Sequence, residues 1–189
     1  IFLEAPFPNV VVEAVDTFVH RCQSPADAFE LFRETPRSLE VLARLSCGSP
    51  FLTQTLMDQP DALRALTTER RTAAMKSREE FLEEAQAALA DCPNNEDKLK
   101  LLRRVQRREI LRIGMCDAFG LLDLKFVTLQ ISLLADAVVQ TCLAIACADH
   151  GVSTSPFSVI ALGKHGGEEL NYSSDIDLIF IGTFDSTSA

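Results

Sequence analysis

The chain lacks tryptophan and contains a single tyrosine, so a core built from it depends on aliphatic side chains and twelve phenylalanines. It also lacks an excess of positive charge, since the formal net charge is −9 at pH 7. A general nucleic-acid binder needs a basic face for the phosphate backbone, so this balance argues against nucleic acid as a partner. A small phosphorylated ligand neutralised by metal ions remains compatible with it.

The sequence shows no targeting signal and no dense cysteine framework. Its first nine residues have neither a charged beginning nor a long apolar stretch, unlike a signal peptide. No run approaches the roughly 20 apolar residues of a membrane-spanning helix, so no membrane association is predicted. The six cysteines form no CxxC pair and most lie in apolar surroundings, which indicates free thiols and a cytoplasmic location.

Apolar periodicity predicts helices throughout residues 9–150. Ser24-Pro25 and Ser49-Pro50 have the capping residue and first-turn proline that begin a helix, and Asn9 is a further candidate cap. Gly48 and Gly120 are expected to end helices. The remaining predicted helices cover residues around 60–66, then 69–90, 95–119 and 124–149, the last being the most apolar.

The pattern changes at Gly151, where a short Gly/Ser/Thr/Pro linker begins. FSVIAL (157–162) and LIFIG (178–182) are short β-branched apolar runs typical of buried strands, and GKHGGEELNYSSD lies between them. We therefore predict an α+β chain. A helical segment occupies residues 1–150, and residues 151–189 form a strand, a glycine turn, a short helix and a second strand.

Asp175 and Asp177 are expected to open the second strand. Residues i and i+2 of a strand point to the same face, which would place both carboxylates side by side. Such a pair is costly unless a cation lies between the two groups. Mg²⁺ binds one or two carboxylates together with substrate phosphates, so the pair is predicted to hold metal and to be catalytic.

The glycine cluster before this pair is a candidate phosphate site. Gly163, Gly166 and Gly167 allow backbone N–H groups to approach phosphate oxygens. Lys164 could pair with phosphate charge, and the hydroxyl of Ser174 could donate to a phosphate oxygen. The Walker A loop needs Ser or Thr after Gly-Lys and is not matched, and neither is the Rossmann G-x-G-x-x-G.

The stretch ALGKHGGEELNYSSDIDLIFI resembles the signature of glutamine synthetase adenylyltransferases, within the polymerase-β-like nucleotidyltransferases. The pattern of that family is approximately G-K-L-G-G-x-E-L-N-[YF]-x-S-D-[IL]-D-L-I-F. The matching positions are Gly163, Lys164, Gly166, Gly167, Glu169, Leu170, Ser174, Asp175, Asp177 and Leu178. SLEVLARLSCGSPFLTQTLMDQPDAL and LLRRVQRREILRIGMCDAFGLLDL are similar to helical stretches of the same family, so the resemblance spans most of the chain.

The resemblance implies the start of a polymerase-β-like sheet and a role in nitrogen regulation. One half of such an enzyme transfers AMP from ATP to a tyrosine of glutamine synthetase, and the other removes it by phosphorolysis. Both halves use Mg²⁺ or Mn²⁺, and a PII signal protein and glutamine regulate their balance. ELNYSSDIDLIF looks slightly more like the removing half, but both halves remain open.

Two departures from the family pattern affect these expectations. His165 stands where the family usually has leucine, and we expect it to be a turn residue without a role, although it could touch phosphate. The fold normally places a third catalytic carboxylate on a later strand. Asp185 is the only acid after the pair, so this chain resembles a fragment of one catalytic half.

Two alternatives follow from these departures. The chain could be a non-catalytic binding or regulatory module of a larger protein, or a different nucleotidyltransferase of the same fold. A basic cluster spans Arg103 to Arg112, and Arg104, Arg108 and Arg112 have the spacing of one helical face. That stripe could face a nucleotide or an acidic partner, or it could be a solvated face paired with Glu109 and other local acids.

Overall fold

The computed structural model describes residues 6–68, 73–155 and 157–182, so Asp185 lies outside the described residues. The elements, in chain order, are α1 (Pro8–Arg21), α2 (Pro25–Glu34), α3 (Arg37–Gly48), α4 (Pro50–Asp58), α5 (Ala62–Thr68), α6 (Arg78–Leu89), α7 (Asn95–Ala118), α8 (Leu124–Asp149), β1 (Phe157–Leu162), α9 (Gly163–Gly166) and β2 (Asp177–Gly182). Helices preceding a small antiparallel sheet are consistent with the predicted α+β class.

Local signals set most helix boundaries as predicted. The side chains of Ser24 and Ser49 accept hydrogen bonds from the backbone of the first turn, at 3.2 and 3.3 Å, and proline follows each of them. Gly48 is the last residue of α3, and Gly120 follows α7 with a φ of +63°. The predicted Asn9 cap is wrong, because Pro8 takes the first helical position and Asn9 is already inside α1.

The predicted helix over 69–90 is also wrong at its beginning. Residues 69–72 lie outside the described part, and residues 73–77 are not helical. Ser77 begins α6 with a reciprocal capping box, in which its hydroxyl accepts from the Glu80 N–H and the Glu80 carboxylate accepts from the Ser77 N–H. The buried Gln130 side chain binds both backbone groups of Lys76, at 2.7 and 2.9 Å, which satisfies that non-helical backbone.

The chain divides into two compact units, and the first comprises residues 1–74 and 107–123. Helix α3 is central to it, since α1, α2, α4 and α5 all contact α3. The rings of Phe18 and Phe32 lie 5.7 Å apart. Its fully buried large side chains include Val11, Phe18, Val41, Leu42, Leu45, Leu56, Leu63, Leu111, Ile113 and Met115.

The second unit comprises residues 75–106 and 124–189 and contains α6, α8 and the two strands. Helix α6 packs along α8. A small core of Ala85, Leu89 and Leu102 is surrounded by partly buried apolar side chains of α7 and α8. The predicted domain boundary between residues 150 and 151 divides the chain differently from these two compact units, and it stays a prediction.

Helix α8 is the one helix of the described part that is long and apolar enough to cross a membrane by length and composition. An 18-residue stretch of α8 has a mean hydropathy of 1.9, which corrects the expectation that no run approaches the composition of a membrane-spanning helix. The core helix of a soluble protein passes the same test, so a single helix of this kind is weak evidence. Here α8 packs against α6 within its unit.

Candidate functional site

The two predicted strands form an antiparallel hairpin that carries the site. Phe157 pairs with Gly182 at one end, and Leu162 pairs with Asp177 at the other. Residues directly opposite each other in an antiparallel pair share a face of the sheet. Asp177 and Leu162 therefore lie on one face, whereas Ala161 and Leu178 lie on the opposite face.

The two predicted metal ligands lie at the start of β2. The strand begins at Asp177, two residues later than expected, so Asp175 precedes the strand and does not open it. Both side chains are exposed. Their exposure leaves them accessible to a metal ion or a phosphorylated ligand.

The glycine turn begins beside this pair of carboxylates. Gly163 follows the last residue of β1 and has a φ of +56°, in the left-handed region that favours glycine. A Cβ atom at Gly163 would lie 3.6 Å from Oδ2 of Asp177. The structure therefore brings the first predicted phosphate-binding residue next to one of the predicted metal ligands.

The other two glycines have different surroundings. A Cβ at Gly166 would lie 2.5 Å from the carbonyl oxygen of Ala161, so glycine is needed there for α9 to pack against β1. At Gly167 the nearest such contact is an ordinary 3.6 Å, and its N–H donates to the Gly163 carbonyl at 3.1 Å. Lys164 is exposed. Phosphate binding by these residues stays a prediction.

Ser174 holds a tight turn immediately before Asp175. Its hydroxyl donates to Oδ1 of Asn171 at 2.8 Å and accepts from the Asn171 N–H at 3.2 Å. The same Oδ1 accepts from the Ser173 N–H at 3.1 Å. Sequence reasoning missed Asn171, although asparagine followed by serines is typical of a turn closed by the side chain.

A chain of three polar side chains, buried at its His165 end, lies behind the glycine turn. His165 is 4% exposed, and its Nε2 is 2.8 Å from Oδ1 of Asp136 on α8. The other oxygen of Asp136 forms an ion pair with Arg78 on α6. The expectation that His165 is a turn residue without a role is therefore corrected, because its ring is buried and hydrogen-bonded to α8. The available signal was Asp136 itself, a lone charge in the middle of an apolar helix.

An open cleft of about 740 Å³ lies on the face of the hairpin that is opposite Asp177. Val159 and Leu178 form its sheet side, and Val139 and Leu143 form its α8 side. Arg78, Asp136 and His165 line it as well. The Asp136–His165 pair and the Asp177 carboxylate therefore lie on opposite faces of the sheet.

The chemistry of the carboxylate pair suits a hard divalent cation. In the described ranges, no group of three or more His, Cys, Asp or Glu side chains is placed to hold a metal ion. Mg²⁺ commonly takes one or two carboxylates and completes its shell with water and substrate phosphates. Asp175 and Asp177 fit that mode of binding, with the phosphate oxygens supplied by a nucleotide.

The arginine stripe predicted on α7 is not one solvated face. Arg112 is only 4% exposed, and its Nε donates to the Glu109 carboxylate at 2.7 Å. Its guanidinium also donates to the Ala74 carbonyl at 3.0 Å. Arg104 and Arg108 are exposed. The predicted pairing with Glu109 is therefore confirmed for Arg112, whereas its placement on a solvated or ligand-facing stripe is wrong because the side chain is buried.

The chain is similar over most of its length to known proteins of one family. The profile of the glutamate-ammonia ligase adenylyltransferase family matches residues 39–188. The bifunctional glutamine synthetase adenylyltransferase/adenylyl-removing enzyme of Shewanella woodyi is 28% identical over 97% of this chain. The enzymes of that name from Methylococcus capsulatus and Nitrosococcus oceani are 32% and 30% identical over 81% and 93% of it.

These relatives are nucleotidyltransferases by name, which agrees with the motif around the hairpin. Because the profile covers most of the chain, the chain belongs to the glutamate-ammonia ligase adenylyltransferase family. It spans only about a fifth of the length of these relatives, at 18–20%. The activities in their names belong to much longer proteins.

Proposed function

We propose that this chain carries the first part of a nucleotidyl-transfer site that acts on glutamine synthetase. The observation that supports this most directly is the close approach of Gly163 to the Asp177 carboxylate. Nucleotidyl transfer needs phosphate oxygens and metal ions next to each other, and this arrangement supplies a glycine backbone beside carboxylates. The family membership supports glutamine synthetase as the substrate protein, since the relatives are named for it.

In the proposed reaction, Asp175 and Asp177 would hold Mg²⁺ or Mn²⁺. Such an ion would supply charge neutralisation for the phosphates and for the leaving oxyanion. Gly163, Lys164 and the neighbouring turn contact the phosphates of ATP. The acceptor of AMP is a tyrosine hydroxyl. The removing reaction is phosphorolysis of the resulting bond between the tyrosine oxygen and AMP.

Further parts of the proposal concern the longer protein. We place it in the cytoplasm with a PII signal protein as a regulatory partner, and we keep the adenylylating and removing halves as alternatives, with the motif slightly closer to the removing half. The hairpin is proposed as the start of a polymerase-β-like sheet. The antiparallel pairing of Leu162 with Asp177 supports this proposal, because it places the glycine turn after β1 beside the carboxylate at the start of β2.

Calorimetric titration of the chain with ATP and Mg²⁺ tests the proposal. We expect metal-dependent ATP binding in the unsubstituted chain and its loss in the double variant Asp175→Asn/Asp177→Asn. The matched control is Glu83→Gln/Asp91→Asn, which removes two exposed carboxylates from the same compact unit. Equal binding by all three proteins would contradict the assignment of Asp175 and Asp177.

Assays with glutamine synthetase separate the remaining alternatives. The full-length parent protein is incubated with unmodified glutamine synthetase and ATP, or with the adenylylated form and phosphate. Activity in one direction that is lost in the double variant assigns the half. A parent protein that binds glutamine synthetase with unchanged affinity but shows neither activity would instead support the binding-module alternative.

A further inference from the structure

His165 forms the first of two attachments between the glycine turn and α8. Its Nε2 lies 2.8 Å from Oδ1 of Asp136, and its side chain is almost completely buried. Since a carboxylate only accepts hydrogen bonds, Nε2 carries the proton and donates it to Asp136. The ion pair of Asp136 with Arg78 fixes the acceptor in turn and extends the attachment to α6.

The second attachment lies one helical turn earlier on α8. The backbone N–H of Leu170 donates to Oγ of Ser132 at 3.1 Å, and the Leu170 side chain is buried. Residues i and i+4 lie on the same face of a helix, so Ser132 and Asp136 present their acceptors together. Helix α8 therefore holds the segment between His165 and Leu170 at both of its ends.

Both attachments lead directly to the proposed site. His165 lies two residues after Gly163, which adjoins the Asp177 carboxylate. Leu170 is followed at once by the Asn171–Ser174 turn, which is closed by side-chain hydrogen bonds and ends at Asp175. Hydrogen bonds therefore connect α8 to the turn that precedes Asp175, and the chain itself connects His165 to Gly163.

Only one of the two ring nitrogens of His165 forms a hydrogen bond among the described residues. The other, Nδ1, is buried and has no hydrogen-bond partner among them. An apolar side chain would fill the same space without that unsatisfied group. The contribution of the imidazole is therefore the single directional bond from Nε2 to Asp136.

We infer that His165 and Asp136 are positioning residues, which hold the glycine turn on α8 and so set the spacing between Gly163 and the Asp175–Asp177 pair. This inference rests on the proposed function for its effect on nucleotide binding. Both residues line the cleft on the face of the sheet opposite Asp177, so they are assigned no contact with the phosphates.

The test compares His165→Leu with His165→Gln by calorimetric titration with ATP and Mg²⁺. Glutamine places an N–H donor close to the position of Nε2, whereas leucine removes the donor but fills the space. We expect affinity to fall by roughly tenfold in His165→Leu, as for other partners that orient ligand-binding groups, and to recover in His165→Gln. The midpoint of urea unfolding should not fall in His165→Leu, because the substitution removes the unsatisfied Nδ1.

The matched control is Asn95→Ala, which removes a side-chain hydrogen bond of 2.8 Å to Asp149 at the C-terminal end of α8, away from Ser132 and Asp136. Its affinity for ATP should equal that of the unsubstituted chain. Unchanged affinity in His165→Leu would overturn the positioning role. A fall of the same size in Asn95→Ala would overturn it too, since the effect would then be general loosening of α8.

Amide hydrogen exchange makes the test independent of nucleotide binding. We expect faster exchange at Leu170 and Ser174 in His165→Leu than in the unsubstituted chain, with protection restored in His165→Gln. If the unsubstituted chain binds no ATP, the proposed function fails for this chain while exchange still decides whether the turn is held by His165. Unchanged protection in His165→Leu overturns the inference in either case.

Discussion

At the scale of single residues, the three glycines of the turn serve different purposes. Gly163 adopts a backbone conformation that side chains disfavour, and Gly166 lies too close to the Ala161 carbonyl to carry a Cβ. Gly167 meets neither condition. Sequence reasoning grouped all three as phosphate-binding, because the close approach of a backbone carbonyl from β1 is not visible in the spacing of glycines.

Alanine substitution distinguishes these purposes. Gly166→Ala places its methyl group 2.5 Å from the Ala161 carbonyl oxygen, so backbone must shift. We expect a loss of about 1–3 kcal/mol in the free energy of unfolding, as for other overpacked sites. Gly167→Ala, with 3.6 Å to its nearest contact, is the control and should change stability by less than about 0.5 kcal/mol. Urea denaturation measures both, and equal losses would contradict the packing argument.

At the scale of elements, local signals in the sequence account for where most helices begin. The exception is α6, whose charged and alanine-rich sequence suggested a helix from residue 69. The capping box at Ser77 and the Gln130 side chain bound to Lys76 together favour a later beginning. The capping residues were present in the sequence, but Gln130 is distant in sequence and only folding brings it to Lys76.

Substitution of Ser77 tests the contribution of the cap to α6. Ser77→Ala removes the hydroxyl that accepts from the Glu80 N–H at 3.2 Å. We expect a loss of about 1 kcal/mol in unfolding free energy, typical of an N-cap serine. Ser155→Ala removes an exposed hydroxyl in a turn and serves as the control. Chemical denaturation followed by far-UV circular dichroism measures both, and an unchanged midpoint in Ser77→Ala would contradict the cap assignment.

At the scale of the whole molecule, the hairpin exposes one apolar face. Ile160, Leu162, Ile179 and Ile181 share the face that also carries Asp177, and they are 44%, 42%, 45% and 50% exposed. A contiguous apolar sheet face of this kind favours association. Since the chain spans about a fifth of the length of its relatives, we expect this face to be covered in the longer protein.

The isolated chain is therefore expected to self-associate as its concentration rises. Ile179→Lys places a charge in the centre of the exposed face and should shift the population towards monomer. Leu99→Lys adds the same charge to an exposed leucine on α7, outside the hairpin, and should leave association unchanged. Sedimentation velocity over a range of concentrations measures both effects. A monomeric unsubstituted chain at all concentrations would contradict the prediction.

The sequence alone was sufficient for the family, for both strands and for the helical character of most of the described residues between 9 and 150, whereas the roles of Asp175 and Asp177 stay predictions. These features depend on local spacing: apolar periodicity, serine–proline starts and the motif from Gly163 to Leu178. Such signals involve residues that are close in the chain, so they can be read without the fold.

Tertiary structure decided the features that depend on distant residues. The burial of Arg112, the packing of Gly166 on β1 and the bond from His165 to Asp136 were not evident from spacing, although the pairing of the arginine stripe with Glu109 was. Asp136 and His165 are 29 positions apart, and no local pattern pairs them. A buried charge is stable only beside a partner, and which partner it meets is set by how helices and strands pack.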